Sequence, residues 1–230
     1  FRWVSCQFDT LEQCLDPPSV RRELQNLPKT LDATYAQILR RIHPHQLSMA
    51  KRLLQFLTYS ERPLKLEEAV DLIVVDPSSQ PAFTPENRMP IPEEIIQYCS
   101  SLVVLAQKSV QSYQFNTDTV EQVTEIQLAH FSVKEYLLSD RLEPNVAKEL
   151  DRISAKASIV NVCLSYLLTI YQLRSPQETR KQYYLAEFSA RYWMEHAKDV
   201  ESSYKAIIQS GGLYGNALQA ASVEGHLEIA

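Results

Sequence analysis

The sequence predicts a mostly α-helical chain with one small β-hairpin. Apolar residues recur at steps of three and four along most of its length. Only the stretch from Leu102 to His130 alternates as strands do. Glycine is absent from the first 210 residues, where average usage would give about fifteen in a chain of this size. With 230 residues, 45% apolar and 22% charged, the composition is that of an ordinary globular protein with a substantial core.

The elements follow in order. Phe1, Val4, Phe8, Leu11 and Leu15 fall on one helical face, stopped by Pro17 and Pro18. A short helix over residues 20–27 comes next. Thr30 then caps a helix whose inner face is Leu31, Tyr35, Ile38 and Ile42, with Asp32 placed to favour the first turn. Pro44 breaks the chain. Residues 1–44 therefore read as a helical subdomain. From Leu47 the pattern is helix (Leu47, Ala50, Leu54, Leu57), helix (Leu66, Ala69, Val70, Ile73, Val74), and a loop over residues 77–92 dense in proline. A third helix opens at Pro92, with Glu93 and Glu94 in its first turn and Ile95, Ile96 and Cys99 facing inward. Residues 102–106 and 123–130 form the hairpin. Three helices followed by a two-stranded wing is the plan of a winged helix, here residues 45–142. Residues 143–210 read as a helical domain, with one long buried helix over 153–171 and another marked by Leu185, Phe188 and Tyr192 beside Trp193. His196 is expected near the end of that helix, as a favourable partner of its dipole.

Several function classes are excluded or disfavoured. Phosphate-cradling loops of the GxxxxGK[ST] or GxGxxG kind need glycine, so residues 1–210 contain none. No nucleophile motif is present, so no catalytic residue is expected. Cys6, Cys14, Cys99 and Cys163 form no CxxC pair and read as reduced thiols without a metal. The net charge of −5 leaves no basic stripe, and the third helix offers two glutamates with no Lys or Arg from Pro92 to Leu105. A winged helix that bound DNA would need the reverse, so no nucleic acid partner is expected. The apolar run over 159–171 is interrupted by Asn161 and Ser165 and falls short of roughly 20 spanning residues. No membrane partner and a cytoplasmic location are expected.

Three blocks carry a resemblance. Residues 1–11 (FRWVSCQFDTL), residues 27–35 (LPKTLDATY) and above all residues 129–138 (AHFSVKEYLL) resemble the segment after the nucleotide-binding domain in fungal NACHT-ankyrin proteins, NLR-like members of the STAND class of signalling ATPases. Lys65 departs from that pattern, where a Thr usually caps the second winged helix. Residues 215–230 (GNALQAASVEGHLEIA) resemble the first two helices of an ankyrin repeat, so residues 211–230 read as the truncated start of a solenoid that continues beyond Ala230.

The resemblance implies a role for His130, as a winged-helix histidine that contacts the β-phosphate of ADP in the closed, inactive state. Ser132 and Glu135 read as a capping box for a helix starting at Ser132, with His130 just before its N-terminus. The alternative is a hydrogen-bonded core histidine on the strand face of Ile126 and Leu128. The resemblance further implies no cofactor within this fragment, ADP or ATP in the full-length parent, and an upstream P-loop NACHT domain and downstream ankyrin array as partners in the same chain. The array would bind protein. Two readings stay open: a non-catalytic segment coupling nucleotide state to an ankyrin sensor, or a winged-helix and ankyrin scaffold with no nucleotide role.

Overall fold

Thr30 accepts a hydrogen bond from the Ala33 N–H at 3.1 Å and so starts a helix where a hydroxyl is expected to. The same local chemistry organises most of the chain in a computed structural model, which describes residues 2–12, 14–114, 117–171 and 182–208. Residues 211–230 lie outside the described residues.

The first three helices are α1 (Arg2–Glu12), α2 (Pro17–Gln25) and α3 (Leu31–Arg41). α1 already ends at Glu12, and the two prolines open α2, where their missing N–H groups cost nothing and the N-cap Asp16 accepts from the Ser19 N–H. α2 thus spans Pro17–Gln25, earlier than the expected 20–27. On α1 the expected inner face is largely outside, with Val4 45% exposed and Phe8 61%, and Leu15 lies past the end of the helix, 97% exposed. Cys6 and Gln7 face inward instead, because Gln7 Nε2 reaches Thr34 Oγ1 at 3.0 Å and Trp3 Nε1 reaches the Pro28 carbonyl at 2.8 Å. These polar anchors orient the helix against its apolar stripe. On α3, Tyr35 is fully buried, and Leu31, Ile38 and Ile42 pack on the core beside it.

The winged helix follows as α4 (Leu47–Tyr59), β1 (Leu64–Lys65), α5 (Leu66–Val74), a proline-rich loop, a 3₁₀ helix (Pro92–Tyr98), and strands β2 (Val103–Gln114) and β3 (Thr117–Leu128). The sheet is antiparallel in the order β1-β3-β2, with Leu64 opposite Ile126 and Val103 opposite Leu128. It has three strands rather than two. The hairpin strands run 12 residues each, so the wing is longer than its apolar alternation indicates. Its outer part is held by polar cross-strand pairs such as Gln107 with Thr124 and Gln122 with Ser109. The third helix is 3₁₀ rather than α. At three residues per turn, Ile95 and Cys99 remain buried while Ile96 turns out.

Helices α6 (Phe131–Leu137), α7 (Pro144–Leu150), α8 (Arg152–Tyr171) and α9 (Ala186–Ile208) complete the fold. α8 reaches spanning length, with a mean hydropathy of 1.5, so the expectation that this run is too short for a membrane does not hold on length. Its inward residues, among them Ile159, Cys163 and Tyr166, are buried. It is a core helix packed against α4 and α9. His196 sits in mid-α9, not near the helix end, and is fully buried. The expected dipole partnership is therefore replaced by a packed ring whose nitrogens meet no hydrogen-bonding group among the described residues.

Candidate functional site

β3 ends at Leu128, so His130 lies beyond the strand rather than on its inner face. Its backbone is extended (φ −162°, ψ 152°), and it is itself the N-cap of α6. Nδ1 accepts from the Ser132 N–H at 3.2 Å and lies 2.7 Å from Ser132 Oγ. Here the expected capping box is overturned, since the helix begins at Phe131. Ser132 Oγ is engaged by His130 and by Tyr35 Oη at 2.8 Å, which takes it away from any exchange with Glu135. Helix α6 has only seven residues, and one of its free N–H groups is already spent on His130. The imidazole is half-buried, its ring 4.2 Å from that of Phe131, which is itself exposed. Nε2 meets no hydrogen-bonding partner among the described residues.

The site lies where α3 packs on α6. Tyr35 is buried with its ring 5.5 Å from that of Tyr136. Asp32 pairs with Arg141 at 2.5 Å, and Arg40 with Glu143. The first 44 residues are thus joined to the winged helix around His130. Burial chiefly, with Asp32 and Glu143 adding to it, raises the Tyr136 phenol above its usual range.

A second polar cluster is not apparent from the sequence. Asp71 of α5 is 0% exposed, yet its carboxylate accepts from Arg88 Nε at 2.6 Å, Arg88 Nη2 at 3.1 Å, Tyr166 Oη at 2.5 Å and the Tyr184 N–H at 2.9 Å. Burial first, then the Asp71 charge, pushes the Tyr166 phenol far above its usual range. Burial alone would lower the Arg88 guanidinium, but its bond to Asp71 and the nearby charges of Asp71, Tyr166 and Tyr184 together raise it. One turn earlier, buried Glu68 takes both arms of Arg62 at 2.8 and 2.6 Å and the Lys65 N–H at 2.9 Å, while Arg62 stacks 5.0 Å from Phe188. These clusters tie α5 to α8 and α9. Asp71 reads as one acidic residue on an amphipathic helix, and only its distant partners mark it.

The four cysteines are free thiols. Cys99 and Cys163 are pushed up to about 12 by burial, which makes them poor nucleophiles. Among the described residues, no three His, Cys, Asp or Glu side chains converge as a metal site would require. Glu93 and Glu94 are exposed on the 3₁₀ helix that would face a DNA groove.

Residues 41–149 match the family described as the winged helix domain of GPI inositol-deacylase. The chain is 33% identical over 177 residues to azaphilone pigments biosynthesis cluster protein L of Monascus ruber, covering 75% of this chain and 36% of that protein. It is 24% identical over 236 residues to vegetative incompatibility protein HET-E-1 of Podospora anserina, covering 88% of this chain and 15% of that protein. The chain therefore spans about a third and about a seventh of the lengths of these curated relatives. No solved structure matches it. With three helical elements, a three-stranded sheet and a long wing in the expected order, residues 41–149 form a winged-helix domain of the GPI inositol-deacylase type.

Proposed function

We propose that this chain is a non-catalytic regulatory segment of a NACHT-type signalling ATPase. In this reading the winged helix closes over ADP held by an upstream P-loop domain and passes the nucleotide state to an ankyrin array downstream. The array is the surface that meets protein partners, and the whole acts in the cytoplasm. Support comes from the three sequence blocks, from the type of winged helix, and from similarity to two much longer fungal proteins. The chain supplies no phosphate loop of its own over residues 1–210, so ADP or ATP belongs to the parent and not to this segment.

The observation that carries the reading is the state of His130. Its Nδ1 is used inside the protein, and its Nε2 meets no partner among the described residues. A hydrogen bond to a charged phosphate contributes about 1.5–3 kcal/mol. His130→Ala in the full-length protein should therefore speed ADP dissociation roughly ten- to a hundred-fold and shift the switch toward its open state. Stopped-flow release of a fluorescent ADP measures it. An unchanged rate in a well-folded parent removes the nucleotide role and leaves the scaffold reading, in which the winged helix and ankyrin array only bind protein.

A further inference from the structure

We infer that Tyr35 and Ser132 are positioning residues that hold the His130 imidazole in one tautomer, with its proton on Nε2. One backbone hydrogen bond decides the assignment. The Ser132 N–H points at His130 Nδ1 from 3.2 Å, and an amide N–H is met there only by a lone pair, so Nδ1 carries no proton. Ser132 Oγ lies 2.7 Å from the same nitrogen; facing a lone pair, the hydroxyl must donate. A serine has one hydroxyl hydrogen, so the 2.8 Å contact with Tyr35 Oη is donated by the tyrosine. The chain of donors runs one way, from Tyr35 to Ser132 to His130. The remaining ring proton is on Nε2.

This arrangement makes the ring a donor rather than an acceptor at its open edge, and it does so from two different parts of the fold. Tyr35 belongs to α3, and its buried ring is fixed against Tyr136. Ser132 belongs to α6. The tautomer of His130 is therefore coupled to α3 staying docked on the winged helix, because aligned hydrogen bonds polarise and strengthen one another. The proposal rests on the phosphate reading above only for the identity of the group that Nε2 meets; the tautomer itself needs no ligand.

Long-range ¹⁵N–¹H NMR of the chain labelled at histidine reads the proton position directly, at about pH 8, above the ordinary histidine range. His130→Gln assigns the resonance. The expected spectrum has His130 Nδ1 unprotonated and Nε2 protonated. Ser132→Ala removes one of two donors to Nδ1 and should lower the tautomer ratio about five- to ten-fold, while Ser132→Thr, which keeps the hydroxyl, should restore it. Tyr35→Phe keeps the packed ring and should lower the ratio by a smaller factor, so the test survives if Ser132→Ala fails to fold. A wild-type ring protonated on Nδ1, or a ratio unmoved by Ser132→Ala and Tyr35→Phe, overturns the proposal whatever ADP does. A fixed Nε2–H tautomer that responds to these substitutions, found with ADP release unchanged by His130→Ala, supports the positioning and sinks only the phosphate reading.

Discussion

Two helices of the winged helix begin in unusual ways, and they spend their polar groups differently. α5 has Lys65 at its N-cap, whose ammonium cannot accept a hydrogen bond. Glu68 compensates from the other side by taking the Lys65 N–H together with Arg62. One turn on, Asp71 closes its network with Arg88, Tyr166 and Tyr184. α6 has His130 at its N-cap, which accepts with one nitrogen and leaves the other without a partner among the described residues. A closed, buried network specifies how elements pack, whereas a donor left over at a half-buried edge is available to something else. The α5 end is a fastener, and in the proposed reading the α6 end is where a signal would enter.

Breaking the fastener should have the largest effect. Asp71→Ala strands a guanidinium, a phenol and a backbone N–H inside the protein, and removing one member of a buried ion pair costs about 3–5 kcal/mol. Guanidinium denaturation of the chain measures it. A loss below about 1 kcal/mol would mean that Asp71 does not hold α8 and α9 to the winged helix. Glu68→Gln, which keeps a hydrogen-bonding group beside Arg62, should cost less.

Acid probes the region that the fastener holds. Burial chiefly, with Lys156 adding to it, lowers the His196 pKa against the opposing pull of Glu61, Asp199 and Glu195. A base whose folded pKa lies below its ordinary value gives stability that is complete above the ordinary histidine range and is lost as pH falls through the folded value. The chain should therefore weaken on acidification below about pH 6.5. That window is distinct from the one set by Asp199, held at about 2 by Lys156 and Arg152, which opens only below the usual carboxylate range. His196→Leu should flatten the upper window and, by removing buried nitrogens without partners, add about 1–3 kcal/mol at neutral pH. A variant that is less stable and just as pH-sensitive would show the ring to be paired in solution.

Much of the α-helical order was legible because apolar spacing, proline and cap residues are local signals. Thr30, Pro44 and the long α8 all appear where those signals put them. The failures share a cause, in that a distant partner decided the outcome. Gln7 and Trp3 turned α1 so that Val4 and Phe8 face out. Tyr35, 97 residues away, drew Ser132 out of its capping box with Glu135. Asp71 is silent in sequence because its partners lie 17 to 113 residues further along. His130 was legible as a position through the AHFSVKEYLL block, but its role as the cap itself and the Tyr35 link were not.

Smaller effects come from exchanging the caps. At α6, His130→Ala removes the cap and should cost the isolated chain about 1 kcal/mol, while His130→Thr, which can accept from the same N–H, should cost less. Both lose Nε2, so both should release ADP faster in the parent. If the threonine variant released ADP at the wild-type rate, His130 would be a cap and nothing more.

At α5 the corresponding exchange should stabilise. Lys65 has the extended backbone of an N-cap (φ −67°, ψ 152°) but no acceptor on its side chain, and the reciprocal half of a capping box, from the Lys65 N–H to Glu68 Oε2, is already in place. A threonine hydroxyl there can accept from the Glu68 N–H and complete the exchange, and threonine also suits the short β1 strand to which residue 65 belongs. The lost lysine is exposed, and exposed charges contribute about 0–1 kcal/mol. Lys65→Thr should therefore gain about 0.5–1 kcal/mol, which in a chain of this size raises Tm by roughly 1–4 °C. Lys65→Ser should do much the same, and Lys65→Ala, which adds no acceptor, should not. An equal rise for alanine would mean that relief of the lysine charge beside Arg62, and not capping, is responsible. No rise for threonine would mean that water already satisfies the first turn, so that α5 owes its start to Glu68 alone.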